Sequence, residues 1–267
     1  MFDFRRLAKP APIRAAPRVP GGALVWAIGD VHGRDDLLGP LLEHILDDFR
    51  SSACEAPVLI GLGDYVDRGP NSRAVIDRLL EVQMSGVDCI FLMGNHEEAL
   101  LTFLSEPQMG PSWAQFGGRE TLWSYGVSPP TSAADAEAWR MTASAFADAL
   151  PAGHLAFLQA LALSQEIGDY IFVHAGVRPG LPMESQSRQD LLWIRHAFLD
   201  HRGPFPKVVV HGHTPMERVV VTPYRIGVDT GAYATSRLSA VRLVNETRQV
   251  ALAHMAGGMV TVDRMTL

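Results

Sequence analysis

Leu24-Val25-Trp26-Ala27-Ile28-Gly29-Asp30-Val31-His32-Gly33 is the stretch that decides the fold. Its five apolar residues lack polar alternation, as in a strand buried on both faces, and the run ends directly in glycine, aspartate and histidine. The construction recurs. Residues 58–62 run into Gly63-Asp64-Tyr65-Val66-Asp67-Arg68-Gly69, residues 89–93 into Gly94-Asn95-His96-Glu97, residues 170–173 into His174-Ala175-Gly176, and residues 208–210 into His211-Gly212-His213-Thr214. A sixth run, 225–228, leads to Asp229-Thr230-Gly231, where Asp229 either makes a turn or supports a site from a neighbouring strand.

Helical patterns separate these runs. Leu37, Leu38, Leu41, Leu42, Ile45, Leu46 and Phe49 recur at helical spacing, with Pro40 expected in that helix's first turn. A second helix is expected to open at Asn71 or Ser72, to bury Val75, Ile76, Leu79, Leu80 and Val82, and to stop at Gly86. Strands alternating with helices define an α/β chain, and in such sheets ligands bind beyond the carboxyl ends of the strands. The five ionisable tips are therefore expected to meet at one site.

Residues 105–165 break the rhythm and are expected to form an inserted helical subregion, with a helix over about 134–150. Its Trp113, Trp123 and Trp139 either line a groove or, the reading their spacing favours, pack a small core. After Val219 the pattern turns to hairpins, with strands at 238–244 and 249–254.

Composition narrows the function classes. A 267-residue chain with 47% hydrophobic and 19% charged residues can bury a full core, which excludes global disorder. No apolar run is long enough for a membrane span. Cys54 and Cys89 are the only cysteines, so a disulfide framework and a cysteine metal site are excluded, and a reducing, cytoplasmic setting is expected. Net charge is −6, but five of the 23 basic residues and one of the 29 acidic ones lie in residues 1–20, which leaves −10 on the remainder. That acidic body argues against nucleic acid as a partner. Residues 1–20, rich in proline and arginine, read as a flexible basic tail ahead of a single domain over 21–267.

Imidazole nitrogen with carboxylate and amide oxygen suits divalent Mn, Fe or Zn better than calcium. Six such ligands are too many for one catalytic zinc. Divided between two ions with one carboxylate shared, they match a two-metal hydrolase centre, whose residual positive charge attracts phosphate.

The ordered set GDVHG at 29–33, GDYVDRG at 63–69, GNHE at 94–97, and the later VHAG and HGHT resembles the phosphoprotein phosphatase branch of the calcineurin-like metallophosphoesterases, closest to bacterial and phage serine/threonine phosphatases. The resemblance implies a β-sandwich of two mixed sheets flanked by helices, with the small helical insertion. By it, Asp30 and His32 are ligands of a first metal, Asp64 bridges, Asn95 and His174 bind a second metal, and His213 is the last ligand of the first. It implies Mn as the metal, with Fe or Zn as alternatives, and direct attack of metal-activated water on phosphorus. His96 would be the general acid, Asp67 its carboxylate partner, and Arg68 and Arg195 the phosphate-holding arginines.

His211 competes with His213 and would stand behind it. His44, His154, His196, His201 and His254 are assigned to packing or the surface, and Glu97 and Glu98 to the opening of a helix. Three activities fit the motifs: a protein phosphatase acting on phosphoserine or phosphothreonine, a dinucleoside polyphosphate hydrolase on the same metal core, and a catalytically dead phosphate-binding module. The complete ligand set disfavours the third. The insertion holds only Arg119 and Arg140 against five acidic residues, which favours a phosphorylated protein or peptide over a polyphosphate chain.

Overall fold

The structure, a computed structural model, describes residues 16–266. Eleven strands form two mixed sheets. The first, in the order β11-β10-β9-β1-β2-β3, contains β1 (Ala23–Ile28), β2 (Ala56–Gly61), β3 (Asp88–Phe91), β9 (Arg237–Val244), β10 (Thr247–Ala256) and β11 (Met259–Thr266). The second, in the order β4-β5-β6-β8-β7, contains β4 (Ser164–Ile167), β5 (Tyr170–Val173), β6 (Val208–His211), β7 (Val220–Val221) and β8 (Arg225–Gly227). β1, β2 and β3 are mutually parallel, as are β5, β6 and β8, while β4, β7 and the β9–β11 meander run antiparallel to their neighbours.

The uninterrupted apolar runs follow from burial on both sides. Val25 and Ala27 of β1 point into the space between the sheets, where they join Ile60, Phe172, Val210 and Val241. Leu24, Trp26 and Ile28 point the other way, against α1 (Asp35–Ser51) and α2 (Ser72–Met84). The outer face of the second sheet is covered separately, Ile171, Val173 and Val209 packing on Leu191, Ile194 and Phe198. The expected sandwich of two mixed sheets flanked by helices is the observed fold.

Pro40 is the sixth residue of α1, one turn further in than its sequence position suggested, so its missing N–H falls opposite the Asp36 carbonyl. β4, β7 and β11 were not anticipated. β4 reads Ser-Gln-Glu-Ile and β11 is exposed over most of its length, so neither edge strand carries a continuous apolar signature. Residues 1–15 of the basic tail lie outside the described residues. Pro17 to Pro20 lie against the body: the Tyr170 hydroxyl donates to Pro17 O at 3.1 Å, Val19 N–H donates to Asn245 O at 3.1 Å, and Val19 is buried.

α3 (Asn95–Ser105) leads into the helical insertion, in which Trp113 stacks on Phe103 at 4.9 Å and Trp139 meets the same ring edge-on at 6.0 Å. Trp113 and Trp139 are thus core residues, as expected. Trp123 is 55% exposed and belongs to neither the core nor a groove wall.

Candidate active site

The strand tips leave the sheets through strained backbone. His32, Asp64, Asp67, Arg68 and His213 all have positive φ, between 48° and 72°, a region that non-glycine residues rarely occupy and that clusters at functional sites. Hydrogen bonds hold them there. Val31 and His32 donate their N–H groups to Asp64 O at 3.0 and 2.9 Å, joining the first two tips.

Asp64 is the centre. Its Oδ2 lies 3.5 Å from His32 Nε2 and 3.9 Å from His96 Nε2, and its Oδ1 lies 3.4 Å from His174 Nε2. Two groups of candidate metal donors share it: His32 with Asp64 and His96, and Asp64 with His174 and His213. His32 Nδ1–H donates to Val66 O at 2.9 Å and His174 Nδ1–H to Leu62 O at 2.9 Å, which fixes both tautomers and leaves each Nε2 lone pair facing the centre. His174 Nε2 then faces Asn95 Oδ1 at 3.0 Å and His213 Nδ1 at 3.2 Å. Lone pairs converging this closely in a buried site suit a cation between them, so the donor set fits divalent metal.

Electrostatics agree. Burial lowers the imidazoles of His32 to about 3 and His213 to about 2, and pulls His174 in the same direction, keeping all three in the neutral form that ligates metal. Burial opposes ionisation of Asp64, but the imidazoles of His174, His96 and His32 hold it below the usual carboxylate range.

His213, assigned by resemblance to the first metal, stands with His174 and Asn95, because its own N–H is turned back onto Asp30, to Oδ1 at 3.1 Å and Oδ2 at 3.0 Å. Asp30 belongs to neither three-residue donor group. Burial, with Asp229 and Asp64 nearby, pushes its carboxyl well above the usual range, a repulsion that a cation would relieve. His211 is buried behind the centre, edge-on to Phe198, with Nδ1 on the Gly212 carbonyl at 3.0 Å.

The remaining expected residues line the edge of the centre. His96 Nδ1 lies 2.7 Å from Asp67 Oδ2, and the two terminal nitrogens of Arg68 lie 3.1 Å from His32 Nε2 and 3.0 Å from His96 Nε2. Burial works against protonation of His96, but the charge of Asp64 and the bond to Asp67 outweigh it and raise the imidazole above its ordinary value. A groove of about 550 Å3 opens over Asn95, His96 and Arg68, with Arg195, Trp193 and Phe116 on its walls.

The calcineurin-like phosphoesterase family model matches residues 23–252, a span that carries all five tips and every strand except β11 and the end of β10. The chain belongs to that family. The phosphoesterase is 27% identical over 235 residues to serine/threonine-protein phosphatase 1 of Salmonella typhimurium, an alignment covering 82% of this chain and 91% of the relative. It is 35% identical over 94 residues to serine/threonine-protein phosphatase 2 of Escherichia coli, covering 35% and 38% of the two chains. Among solved structures it shares its fold with a cold-active protein-tyrosine phosphatase of a psychrophilic Shewanella, at TM-score 0.59 and 17% identity over 93% of this chain and 83% of that one. A candidate diadenosine tetraphosphatase superposes at TM-score 0.56 and 19% identity, over 94% and 95% of the chains. The family and the Salmonella and Escherichia relatives make the protein a metal-dependent phosphatase.

Three supporting residues of the phosphoesterase escaped sequence reading. Glu97 is completely buried and its carboxylate accepts four backbone N–H groups, a role hidden because a glutamate in a helix's first turn reads as an ordinary partner of the helix dipole. Thr121 donates its hydroxyl to Asp67 Oδ1 at 2.6 Å from 54 residues away, a contact no local pattern announces. Tyr233 lies with its ring 4.6 Å from the Arg68 guanidinium carbon and edge-on to His32. Its segment is anchored by Arg34, which donates to Ala232 O at 2.7 Å and Ser236 Oγ at 3.1 Å. Asp229 makes the expected turn, accepting Gly231 N–H at 2.7 Å, and also stands beside Asp30.

Proposed function

We propose that the protein is a phosphomonoesterase that removes phosphate from phosphoserine and phosphothreonine in proteins. The observation that carries this reading is the juxtaposition of His96, backed by Asp67 at 2.7 Å, with Arg68 at the mouth of an open groove beside the Asp64-centred ligand set. A monoester of an alcohol needs these parts: a grip on the phosphoryl oxygens and a proton for a poor leaving group. The name of the Salmonella relative supports the same substrate class.

Asp30, His32 and Asp64 would hold one ion, and Asp64, Asn95, His174 and His213 the other. Bound there, two divalent ions, Mn by preference for this mixed donor set, supply Lewis acidity that polarises the phosphoryl group and makes water a competent nucleophile near neutral pH. Arg68 contributes a planar fork whose two terminal nitrogens already point into the centre, and Arg195 lines the same groove. His96 delivers the proton that the serine or threonine oxygen requires as it leaves. Asp67 fixes the ring so that Nδ1 stays a donor and Nε2 is the nitrogen that gives up its proton.

The groove suits a peptide better than a dinucleoside polyphosphate. Among the described residues Arg68 and Arg195 are the only arginines or lysines lining it, and Glu98 there is already engaged by Arg188 at 2.6 Å and by Trp193 Nε1 at 2.8 Å. The acidic residues of the insertion, on which the sequence argument rested, do not line it; the insertion presents Met109, Ser112, Trp113 and Phe116. No helix among the described residues is long and apolar enough to cross a membrane, and both cysteines are free, which fits action on proteins in a reducing, cytoplasmic compartment. The test is release of inorganic phosphate from phosphoseryl and phosphothreonyl peptides. It should be abolished by chelation and restored by Mn, and a Mn-loaded protein inert on every such peptide would end the proposal.

A further inference from the structure

Asp67 is held by more than the histidine it serves. Its buried Oδ2 accepts both His96 Nδ1–H at 2.7 Å and Trp113 Nε1–H at 2.8 Å, and its Oδ1 accepts the Thr121 hydroxyl at 2.6 Å. Thr121 Oγ1 in turn accepts Asp67 N–H at 2.9 Å, closing a two-bond loop around the residue. Trp113 and Thr121 both belong to the helical insertion.

The same segment grips the next residue. Arg68 N–H donates to Gly117 O at 3.1 Å, and Gly117, at φ 110°, breaks an irregular π-type turn over Ala114–Gly118. A side chain at Gly117 would put its Cβ 2.5 Å from Arg68 N, and one at Gly118 would meet the Trp113 ring at 2.3 Å. Residues 113–121 therefore close around Asp67 and Arg68, whose left-handed backbones, at φ 72° and 67°, need such support.

We infer that Trp113 and Thr121 are positioning residues of the proton-transfer pair: the insertion, besides walling the groove, orients Asp67 so that His96 presents Nε2 to the leaving oxygen. The inference rests on the reading of His96 as proton donor. The chemistry is specific. A carboxylate bonded to one imidazole can turn about its Cβ–Cγ bond, whereas donors on both oxygens fix its plane. Because the Trp113 indole N–H can only donate to Oδ2, that oxygen remains an acceptor toward His96, whose Nδ1 must then carry hydrogen.

A purely structural Trp113, stacked on Phe103 with its indole N–H merely satisfied, would affect all substrates alike. Trp113→Phe and Thr121→Val, with Thr121→Ser as the hydroxyl-restoring control, are compared on a phosphoseryl peptide and on p-nitrophenyl phosphate, using the full metal-loaded chain. Trp113→Phe and Thr121→Val should each lower kcat on the peptide about tenfold or more, the scale of a lost bond to a charged group. On the aryl ester, whose leaving group needs no proton, the change should stay below about threefold. Thr121→Ser should restore peptide turnover, and in a His96→Asn background neither substitution should reduce it further.

Equal losses on both substrates, in a protein whose His96→Asn variant does discriminate between them, would overturn the positioning role alone. A His96→Asn variant that loses both activities equally would bring down the proton-donor reading and this inference with it. Should Trp113→Phe fail to fold, the Thr121 pair decides.

Discussion

Glu97 carries the backbone of Asp64. Its Oε2 accepts the Asp64 N–H at 2.8 Å and that of Gly94 at 2.9 Å, while Oε1 takes Tyr65 N–H at 2.8 Å and Val66 N–H at 3.2 Å. One buried carboxylate thus ties the second strand tip to the third and holds Asp64 at its positive φ of 55°.

Replacing Glu97 with Gln would aim an amide NH2 at backbone donors and leave two of them unsatisfied. At about 1–3 kcal/mol for each buried orphan, the variant should unfold about 2–6 kcal/mol more easily in urea and bind less metal. A Glu97→Gln protein with wild-type midpoint and full metal content by elemental analysis would show that the four bonds do not set the Asp64 loop.

Asp64 itself faces both donor groups, so Asp64→Asn should release both ions together, whereas His32→Ala and His174→Ala should each weaken chiefly one. Metal stoichiometry after dialysis separates these outcomes. Sequential loss from Asp64→Asn would disprove a shared carboxylate.

Far from the site, Asp48 on α1 joins the helix to the first sheet: Oδ2 accepts Trp26 Nε1–H at 2.9 Å and Arg242 Nε–H at 2.6 Å, and Oδ1 accepts from Arg264 at 3.0 Å. Burial would raise its pKa, but the bonds from Arg242 and Trp26 overcome that and hold it below the usual range. A depressed carboxyl stabilises the fold fully above the unfolded value, about pH 4, and loses that contribution as pH falls through the folded value. Asp48→Asn should therefore cost about 2 kcal/mol at pH 7, because the half-buried Arg242 loses its carboxylate partner, and the gap from wild type should shrink below about pH 4. A gap that widens with acid would reverse the assignment.

Tyr233 backs the Arg68 guanidinium through its ring face alone. Tyr233→Ala should raise KM for a phosphopeptide about 2- to 30-fold, the worth of one cation–π contact, and Tyr233→Phe should leave it nearly unchanged. An effect of Tyr233→Phe as large as that of Tyr233→Ala would assign the role to the hydroxyl instead.

The strand tips were legible because each is local: a short apolar run with glycine and an aspartate, asparagine or histidine within a few residues of its end. The convergence of Asp30, His32, Asp64, Asn95, His174 and His213 required only the rule that sheet ligands gather beyond strand ends. The partition of ligands was not legible. It depends on the His213 backbone turning at φ 64° so that its N–H meets Asp30 and its ring meets His174, a rotation that residue order does not encode. Nor were Trp113 and Thr121, whose partner Asp67 lies 46 and 54 residues away. The acidic composition of the insertion pointed to peptide substrates for a reason that fails in three dimensions, since the wall it gives the groove is apolar.

The central claim, a two-metal monoesterase for phosphorylated proteins, is tested most directly by kcat/KM of the Mn-loaded protein on phosphoseryl peptides and on a dinucleoside tetraphosphate, side by side at low and high salt. With Arg68 and Arg195 the only arginines or lysines along the groove among the described residues, the peptides should be preferred at both salt concentrations. A higher kcat/KM for the dinucleotide at both would contradict the account and make the pyrophosphate bond the substrate.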